Sequence, residues 1–462
     1  MKYADLIIIG AGPGGYETAL RAAREGLTTI LIEKGRIGGT CLNVGCIPTK
    51  CFCRSAEVMN HIAEAASFGI ITGEALADIK KIIARKDETV SALRENITAL
   101  LQRSAVTVVR GTASFVDAHT IRVIPNDGKQ APQDNTLFSA PHIIIATGSV
   151  ARPLAIPGTD LPGVVSSTEM LQTDCIPQRL CIVGGGVIGM EFAHIFHSLG
   201  SQVTVLEFCK EILPGFDSDI AKRLRSTLKK KGLDIVTQAR VDEICAHAES
   251  GLTVRCTLKG MTQKEYAADK VLVAVGRMPN YASLHLEAAG IDYTQKGISV
   301  NGNMQTNVEG VYAIGDVNGI CQLAHAATFQ GERALNHLRG KVDTLQLDVM
   351  PAAVFTSPEV ATVGLTEEKA QQQHIAFKTG KAFFRANGKA LAMGEPDGMV
   401  KLLADSDGGI LGCHILGAHA ADLIQEITAL MQFDATVNDL RGIVHAHPTL
   451  GETILDAARN FA

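Results

Sequence analysis

Two stretches of the chain follow one pattern of apolar and polar positions. Each has a short unbroken apolar run, a glycine-rich turn, a stretch of small and apolar residues at helical spacing, and a second apolar run ending in an acid. The first is DLIIIGAGPGGYETALRAAREGLTTILIEK, which predicts strands at Leu6–Ile9 and Thr29–Ile32 with a helix between them. Ala19, Ala22 and Ala23 suit a helix packed tightly on a sheet. The second is RLCIVGGGVIGMEFAHIFHSLGSQVTVLEF. Unbroken apolar runs of this length suit strands buried on both faces, as in parallel sheets. KKIIARKDETVSALRENITALLQR predicts one long helix of mixed charge. HIIIATGS, KVLVAVGRMPN and VYAIGDVN predict strands that end near Gly148, near Gly276 and just before Asp316. From about residue 345 the alternation strengthens, and an α+β segment is expected.

The glycines give both stretches a chemistry. Gly10, Gly12 and Gly15, with Gly14 among them, fit G-x-G-x-x-G, as do Gly184, Gly186 and Gly189. In that motif the first glycine permits a tight turn and the second lets a pyrophosphate approach the backbone. The third allows close packing of helix on strand, the helix N-terminus faces the phosphates, and an acid downstream binds ribose hydroxyls. Glu33 and Glu207 stand at the acid position, each 23 residues after its first glycine. Two dinucleotide sites in one chain suggest two cofactors that exchange electrons. Glu207 suits a free 2′-hydroxyl and repels a 2′-phosphate, so the second site should prefer NAD over NADP. Lys210, the nearest base, weakens this only slightly.

Bulk properties narrow the rest. A chain of 462 residues holds about three ordinary domains. A net charge of -5 gives no basic field for nucleic acid. No stretch approaches a membrane span, and the first apolar run is too short for a signal peptide, so a cytoplasmic protein without a membrane partner is expected. Eleven cysteines, mostly scattered, argue against a secreted disulfide framework.

Two of those cysteines, Cys41 and Cys46, sit close together in GGTCLNVGCIPTK. A structural disulfide, a metal site and a redox pair all fit a bare pair of thiols. In a reducing compartment such a pair is more often catalytic or metal-binding. Cys51 and Cys53 lie nearby, but no His or Cys set with zinc spacing flanks the pair, and no metal is expected. Pro48 is a natural first helix residue, which would place Cys46 at a helix N-terminus where the dipole favours thiolate, with Lys50 about a turn further on. Gly38, Gly39 and Gly45 leave room for a planar ring to approach the backbone. Near the end, VHAHPTLGETI holds His445, His447 and Glu452. Pro448 would start a helix with Glu452 in its second turn, and a carboxylate near one imidazole orients the ring and raises its basicity.

GGTCLNVGCIPTK resembles the active-site signature of the flavoprotein disulfide reductases. The two glycine fingerprints, ATG at Ala146–Gly148, TNVEGVYAIGD and HAHPTLGE follow in that family's order over essentially the whole chain. The resemblance implies an α/β fold of two Rossmann-like dinucleotide-binding domains plus a C-terminal α+β dimerisation domain. The expected boundaries are 1–148 for FAD with the redox helix, 149–276 for NAD, 277–344 for a central domain completing the FAD site, and 345–462 for the dimer interface. It implies FAD at Gly10, Gly12, Gly14, Gly15, Glu33, Gly39, Thr40, Lys50, Ala113, Thr147, Gly148, Asp316 and Ala324. It implies NAD at Gly184, Gly186, Gly189, Glu207, Val241 and Gly276. Cys46 would be the thiol beside the flavin, Cys41 the thiol that exchanges with substrate, and Lys50 would pair with Glu191 near the flavin. His447 and Glu452 would be the acid/base pair, acting on the disulfide of the other subunit of a homodimer, with His445 a structural neighbour.

Within the family the lipoamide branch fits best. Glu207 points to NAD, the chain ends AARNFA without a further cysteine pair, and CLNVGCIP and HAHPTL read like that branch. The activity implied is oxidation of dihydrolipoamide by NAD⁺ through the Cys41–Cys46 disulfide and FAD. The implied partners are lipoyl domains of 2-oxoacid dehydrogenase or glycine cleavage complexes. The alternatives are a reductase of another low-molecular-weight disulfide, similar to glutathione reductase, and a redox-sensing flavoprotein.

Overall fold

The computed structural model describes residues 1–126, 136–247 and 251–461. Two compact units emerge. The first comprises Met1–Thr49, Ile83–Arg152 and Gly276–Leu347; the second comprises Lys50–Ile82, Pro153–Val275 and Asp348–Ala462.

The first unit is built on a five-stranded parallel sheet in the order Val311–Ala313, His142–Ile145, Leu6–Ile9, Thr29–Glu33, Thr107–Arg110. Alternation within the apolar runs supplies two cores at once. Ile7, Ile9, Ile30, Ile32, Ile143 and Ile145 pack on one face, and Leu6, Ile8, Leu31 and Ile144 pack on the other with Ala19 and Leu20 of helix Pro13–Arg24. Strands Thr112–Asp117, Thr120–Ile124 and Leu137–Ser139 form an antiparallel insert before the fourth strand of the chain's path through the sheet. The segment 277–344 thus joins the N-terminal sheet through Val311–Ala313.

The second unit repeats the plan. Its parallel sheet runs Val164–Val165, Lys270–Val273, Arg179–Val183, Gln202–Glu207, Asp234–Thr237. Strands Ala239–His247, Gly251–Leu258 and Gln263–Ala268 form its antiparallel insert. The same unit holds a five-stranded antiparallel sheet in the order Ala352–Val354, Glu359–Gly364, Ile410–Gly417, Met399–Ala404, Lys378–Phe383. One face of that sheet packs on Ile424, Ile427, Ile454, Ala457 and Ala458 from helices Ala420–Gln432 and Glu452–Arg459. The long mixed-charge helix is Ile79–Arg103. No helix among the described residues is long and apolar enough to cross a membrane.

Two local expectations need correction. The helix after the cysteine turn begins at Cys46 itself and runs to Glu64, so Pro48 is its third residue rather than its first. Proline fits there because N–H groups of the first turn have no intrahelical acceptor. Pro448 does not start a helix. It follows a cis bond from His447, and the helix begins at Glu452, whose carboxylate accepts the Thr449 N–H at 2.8 Å. Glu452 is therefore the first helical residue, where a negative side chain meets the helix dipole favourably.

Candidate active site

The two glycine turns are nearly superimposable in their contacts. Gly10 has φ +104 and Gly184 has φ +108, a left-handed conformation that side chains disfavour. A Cβ on Gly15 would stand 1.8 Å from the Gly10 carbonyl oxygen, and one on Gly189 would stand 1.9 Å from that of Gly184. The third glycine is thus imposed by helix-on-turn packing. The second glycine is the open one: a Cβ on Gly12 would meet only Gly39 Cα, at 4.0 Å, and one on Gly186 would meet nothing. The acids close each turn from behind. Glu33 accepts the N–H of Ala11 at 2.6 Å and of Gly35 at 2.5 Å; Glu207 accepts that of Gly185 at 2.5 Å and of Cys209 at 2.6 Å.

The cysteines lie on consecutive helices, one short and one long. Cys41 is in helix Gly39–Val44, Gly45 ends that helix, and Cys46 opens the next one. Gly45 is forced by closeness, since its Cβ would stand 2.9 Å from the Thr40 carbonyl oxygen and 3.2 Å from Cys41 Cα. Cys46 is exposed, Cys41 half-buried, and Cys51 and Cys53 buried. Burial pushes the Cys53 thiol up to about 12, and its sulfur lies 3.6 Å from the Phe355 carbonyl, which is the behaviour of a packing residue. Among the described residues no group of three or more His, Cys, Asp or Glu is arranged to hold a metal. One turn beyond Cys46, Lys50 Nζ donates to both oxygens of buried Glu191, at 2.9 and 3.0 Å, and lies 4.1 Å from the centre of the Phe355 ring. Glu191 also accepts the Phe355 N–H at 3.1 Å.

His447 Nδ1 lies 2.9 Å from Glu452 Oε1, while the imidazole itself is 81% exposed. The Thr449 N–H and His447 together hold the Glu452 carboxyl below its ordinary range, so the carboxylate stays charged and fixes the ring by Nδ1. His445 is a different kind of histidine: its side chain is only 7% exposed, with Nε2 2.9 Å from Glu426 and Nδ1 3.1 Å from the Ile443 carbonyl. A side chain at Gly451 would approach only His445 Cδ2 at 3.4 Å and Thr449 Oγ1 at 3.8 Å.

Family models match two consecutive parts of the chain: pyridine nucleotide-disulphide oxidoreductase over residues 4–331, and the dimerisation domain of that family over residues 350–458. The chain belongs to this family. It is 39% identical to the dihydrolipoyl dehydrogenase of Bacillus subtilis over 457 residues, covering 98% of this chain and 97% of the relative. It is 40% identical to that of Chlamydia trachomatis over 460 residues, covering 98% and 96%. Among solved structures it is similar to the HOCl-induced flavoprotein disulfide reductase RclA of Escherichia coli, as a Cu(II) complex. That match has a TM-score of 0.86 and 30% identity and covers 99% of each chain.

Pyridine nucleotide-disulphide oxidoreductases use FAD and NAD and, through their dimerisation domain, form homodimers. The first turn fits a flavin dinucleotide on grounds of its own. Thr147 Oγ1 is buried without a hydrogen-bond partner, and the neighbouring Gly148 leaves open space where a Cβ would stand. Gly39 presses its backbone onto Gly12, 2.6 Å from where a Gly39 Cβ would be, so the Cys41-bearing helix starts against the open second glycine. Asp316 follows strand Val311–Ala313 and accepts the Ser149 hydroxyl at 2.5 Å. Arg277 donates to Ser149 Oγ and to the Ser149 carbonyl, both at 2.7 Å. Burial lowers the Arg277 guanidinium below its usual value, opposed by the charges of Asp316 and Cys46. Ser149 and Arg277 were not among the expected site residues, although both follow glycine turns the sequence shows, in ATGS and GRMPN.

Helix Ala324–Leu338 starts at Ala324 and packs on helix Pro13–Arg24, where a Gly14 Cβ would be 3.0 Å from Ala327. Thr40 is an exposed residue of the cysteine-bearing helix. Two expected contacts sit in the antiparallel inserts: Ala113 is buried opposite Val123, and Val241 is buried beside a bulge. Gly276, at φ +105, follows strand Lys270–Val273 with open space at its Cβ position.

Proposed function

We propose that the chain oxidises dihydrolipoamide groups to lipoamide with NAD⁺, yielding NADH and a proton. The observation that carries this reading is His447, turned outward and held at Nδ1 by an ionised Glu452, in a chain that also builds the Cys41–Gly45–Cys46 turn at a helix N-terminus. His447 takes the proton from one substrate thiol, because the thiolate is the nucleophile in disulfide exchange. The thiolate attacks Cys41 Sγ and Cys46 leaves as a thiolate, favoured by the first turn of its helix. The second substrate thiol passes its proton to the departing Cys41 sulfur as it breaks the mixed disulfide, and lipoamide departs carrying the disulfide. Bound at the first glycine turn, FAD would supply the two-electron relay that links the cysteine pair to NAD⁺ at the second.

Further assignments follow the same reading. Gly10, Gly12, Gly14, Gly15, Glu33, Gly39, Thr40, Lys50, Ala113, Thr147, Gly148, Asp316 and Ala324 hold FAD. Gly184, Gly186, Gly189, Glu207, Val241 and Gly276 hold NAD. The exposed ring of His447 suits a base that serves the disulfide of the partner subunit. The protein works in the cytoplasm and takes lipoyl domains of 2-oxoacid dehydrogenase or glycine cleavage complexes as its partners.

The test is the initial rate of NADH formation from dihydrolipoamide and NAD⁺ by FAD-loaded protein. A fast rate, much slower with NADP⁺, supports the reading. No rate, with NADH still reducing the cysteine pair, keeps the relay and moves the substrate to another disulfide. His447→Gln should lower turnover roughly 100-fold or more, the scale of general acid–base catalysis, without loss of flavin. Cys46→Ser should abolish turnover while FAD stays bound.

A further inference from the structure

A row of polar side chains crosses the antiparallel sheet of the second unit. Thr362 pairs with His414, His414 with Lys401, and Lys401 with Lys381, so four neighbouring strands each contribute one residue at the same level. Strand alternation puts this row on the face opposite Ala361, Cys413, Val400, Leu402 and Ala382, which belong to the apolar core. Lys401 is 1% exposed at its side chain and Asp217 is 0% exposed. Lys401 Nζ reaches Asp217 at 2.8 Å, Asp219 at 3.0 Å and Glu367 at 2.5 Å, one carboxylate for each of its N–H donors. Lys381 reaches Asp219 at 2.8 Å. Burial lowers the His414 imidazole below its ordinary range, and its Nε2 lies 2.9 Å from the Leu365 carbonyl and its Nδ1 2.5 Å from the Thr362 hydroxyl.

Asp217 is the N-cap of helix Ser218–Lys230, accepting the Asp219 N–H at 3.1 Å. The segment between Glu207 and Asp217 therefore has fixed ends. It is also fixed along its length: Arg225 makes a two-point contact with Glu211, at 2.7 and 2.9 Å. Leu213 then donates its N–H to the Gly185 carbonyl at 2.8 Å. Ile212 Cγ2 lies 3.1 Å from where a Cβ on Gly185 would stand. Gly185 is the middle of the second glycine turn. A continuous set of hydrogen bonds and packing contacts thus runs from a buried ammonium on the C-terminal sheet to that turn.

We propose that Lys401 is a positioning residue for the second dinucleotide site, acting through Asp217 and Asp219 on the segment that buttresses Gly185. This rests on reading the second turn as the NAD site. Removing one partner of a buried ion pair leaves an uncompensated charge, which loosens what the pair held.

The experiment uses the FAD-loaded full chain carrying Lys401→Met. Amide exchange across 208–217 and NADH affinity by direct titration are measured, with flavin reduction by dihydrolipoamide as the internal reference. Faster exchange at Leu213, NADH affinity weakened roughly threefold to thirtyfold as for coupled networks, and unchanged flavin reduction support the proposal. Unchanged exchange or unchanged NADH affinity in folded, flavin-loaded protein overturns it. Gly189→Ala separates the two failures: if it abolishes NADH binding while Lys401→Met does not, the NAD-site reading stands and the positioning role falls. If neither affects NADH, the site reading itself has failed and the proposal falls with it. Should Lys401→Met not fold, Asp219→Asn, at a side chain 39% exposed, is read in the same way with a smaller expected effect.

Discussion

The first and second glycine turns have the same local geometry and different support. In both, a left-handed first glycine, an open second glycine, a third glycine packed on the first carbonyl and a doubly hydrogen-bonded acid recur almost contact for contact. Even the core strand order is shared, but the outermost strand is not. In the first sheet it is Val311–Ala313, contributed from far along the chain; in the second it is Val164–Val165, which precedes the motif. The distant strand brings Asp316 to Ser149 and helix Ala324–Leu338 onto helix Pro13–Arg24. The second turn is instead buttressed by the segment after its acid, through Leu213 and Ile212. A dinucleotide turn is therefore a local object, whereas what stiffens it is chosen by the surrounding fold.

The largest test of this comparison is the paired substitution of the third glycines. Gly15→Ala and Gly189→Ala each drive a methyl into a backbone carbonyl that has no rotamer to yield, at about 1–3 kcal/mol or more. Gly15→Ala should lose flavin, seen as loss of visible absorbance in purified protein. Gly189→Ala should keep flavin and lose NADH binding. If both lose both, the turns are not independent sites.

Next comes Gly331→Ala. Its methyl would stand 2.0 Å from the Oγ1 of buried Thr18, so that side chain must turn or its helix must shift. A cost of about 1–3 kcal/mol is expected in thermal unfolding, with lower flavin occupancy and unchanged NADH affinity. An equal effect on NADH would remove the distinction between the two buttresses.

Glu33→Gln and Glu207→Gln should act alike in size and differently in target. Each places an amide NH₂ against a backbone N–H, at about 1–3 kcal/mol for the orphaned donor. The first should weaken FAD retention on dialysis, and the second should raise KM for NAD⁺ with little change in kcat.

The smallest effect concerns pH. Lys381 and Lys401 hold the Asp219 carboxyl down to about 2, from an ordinary 3.8. A depressed carboxylate contributes fully above its ordinary value and is lost as pH falls through its folded one, so the 208–217 segment should loosen between those limits. Exchange there that is flat across this window, while the rest of the fold persists, would show that the ion cluster does not anchor it.

Much of the site was legible in the sequence because its chemistry is carried by short spacings. The glycine turns, their acids, the Cys41–Cys46 pair and the His447–Glu452 pair each lie within one turn or one strand–helix unit, where neighbours in sequence are neighbours in space. Even there, the helices open two residues before Pro48 and four residues after Pro448, because proline permits a first turn without specifying which residue opens it. Lys50–Glu191 was supplied by resemblance alone, since no local pattern ties residues so far apart.

By itself the sequence determined two buried parallel-sheet units with dinucleotide turns, a cysteine pair at a helix start and an oriented imidazole, since backbone conformation and burial period are local properties. Only the tertiary structure decided that Ser149 and Arg277 attend Asp316, that Gly331 seats Thr18, and that Lys401 answers Asp217. Those contacts join residues from distant strands, and they are set by sheet order and register rather than by spacing along the chain.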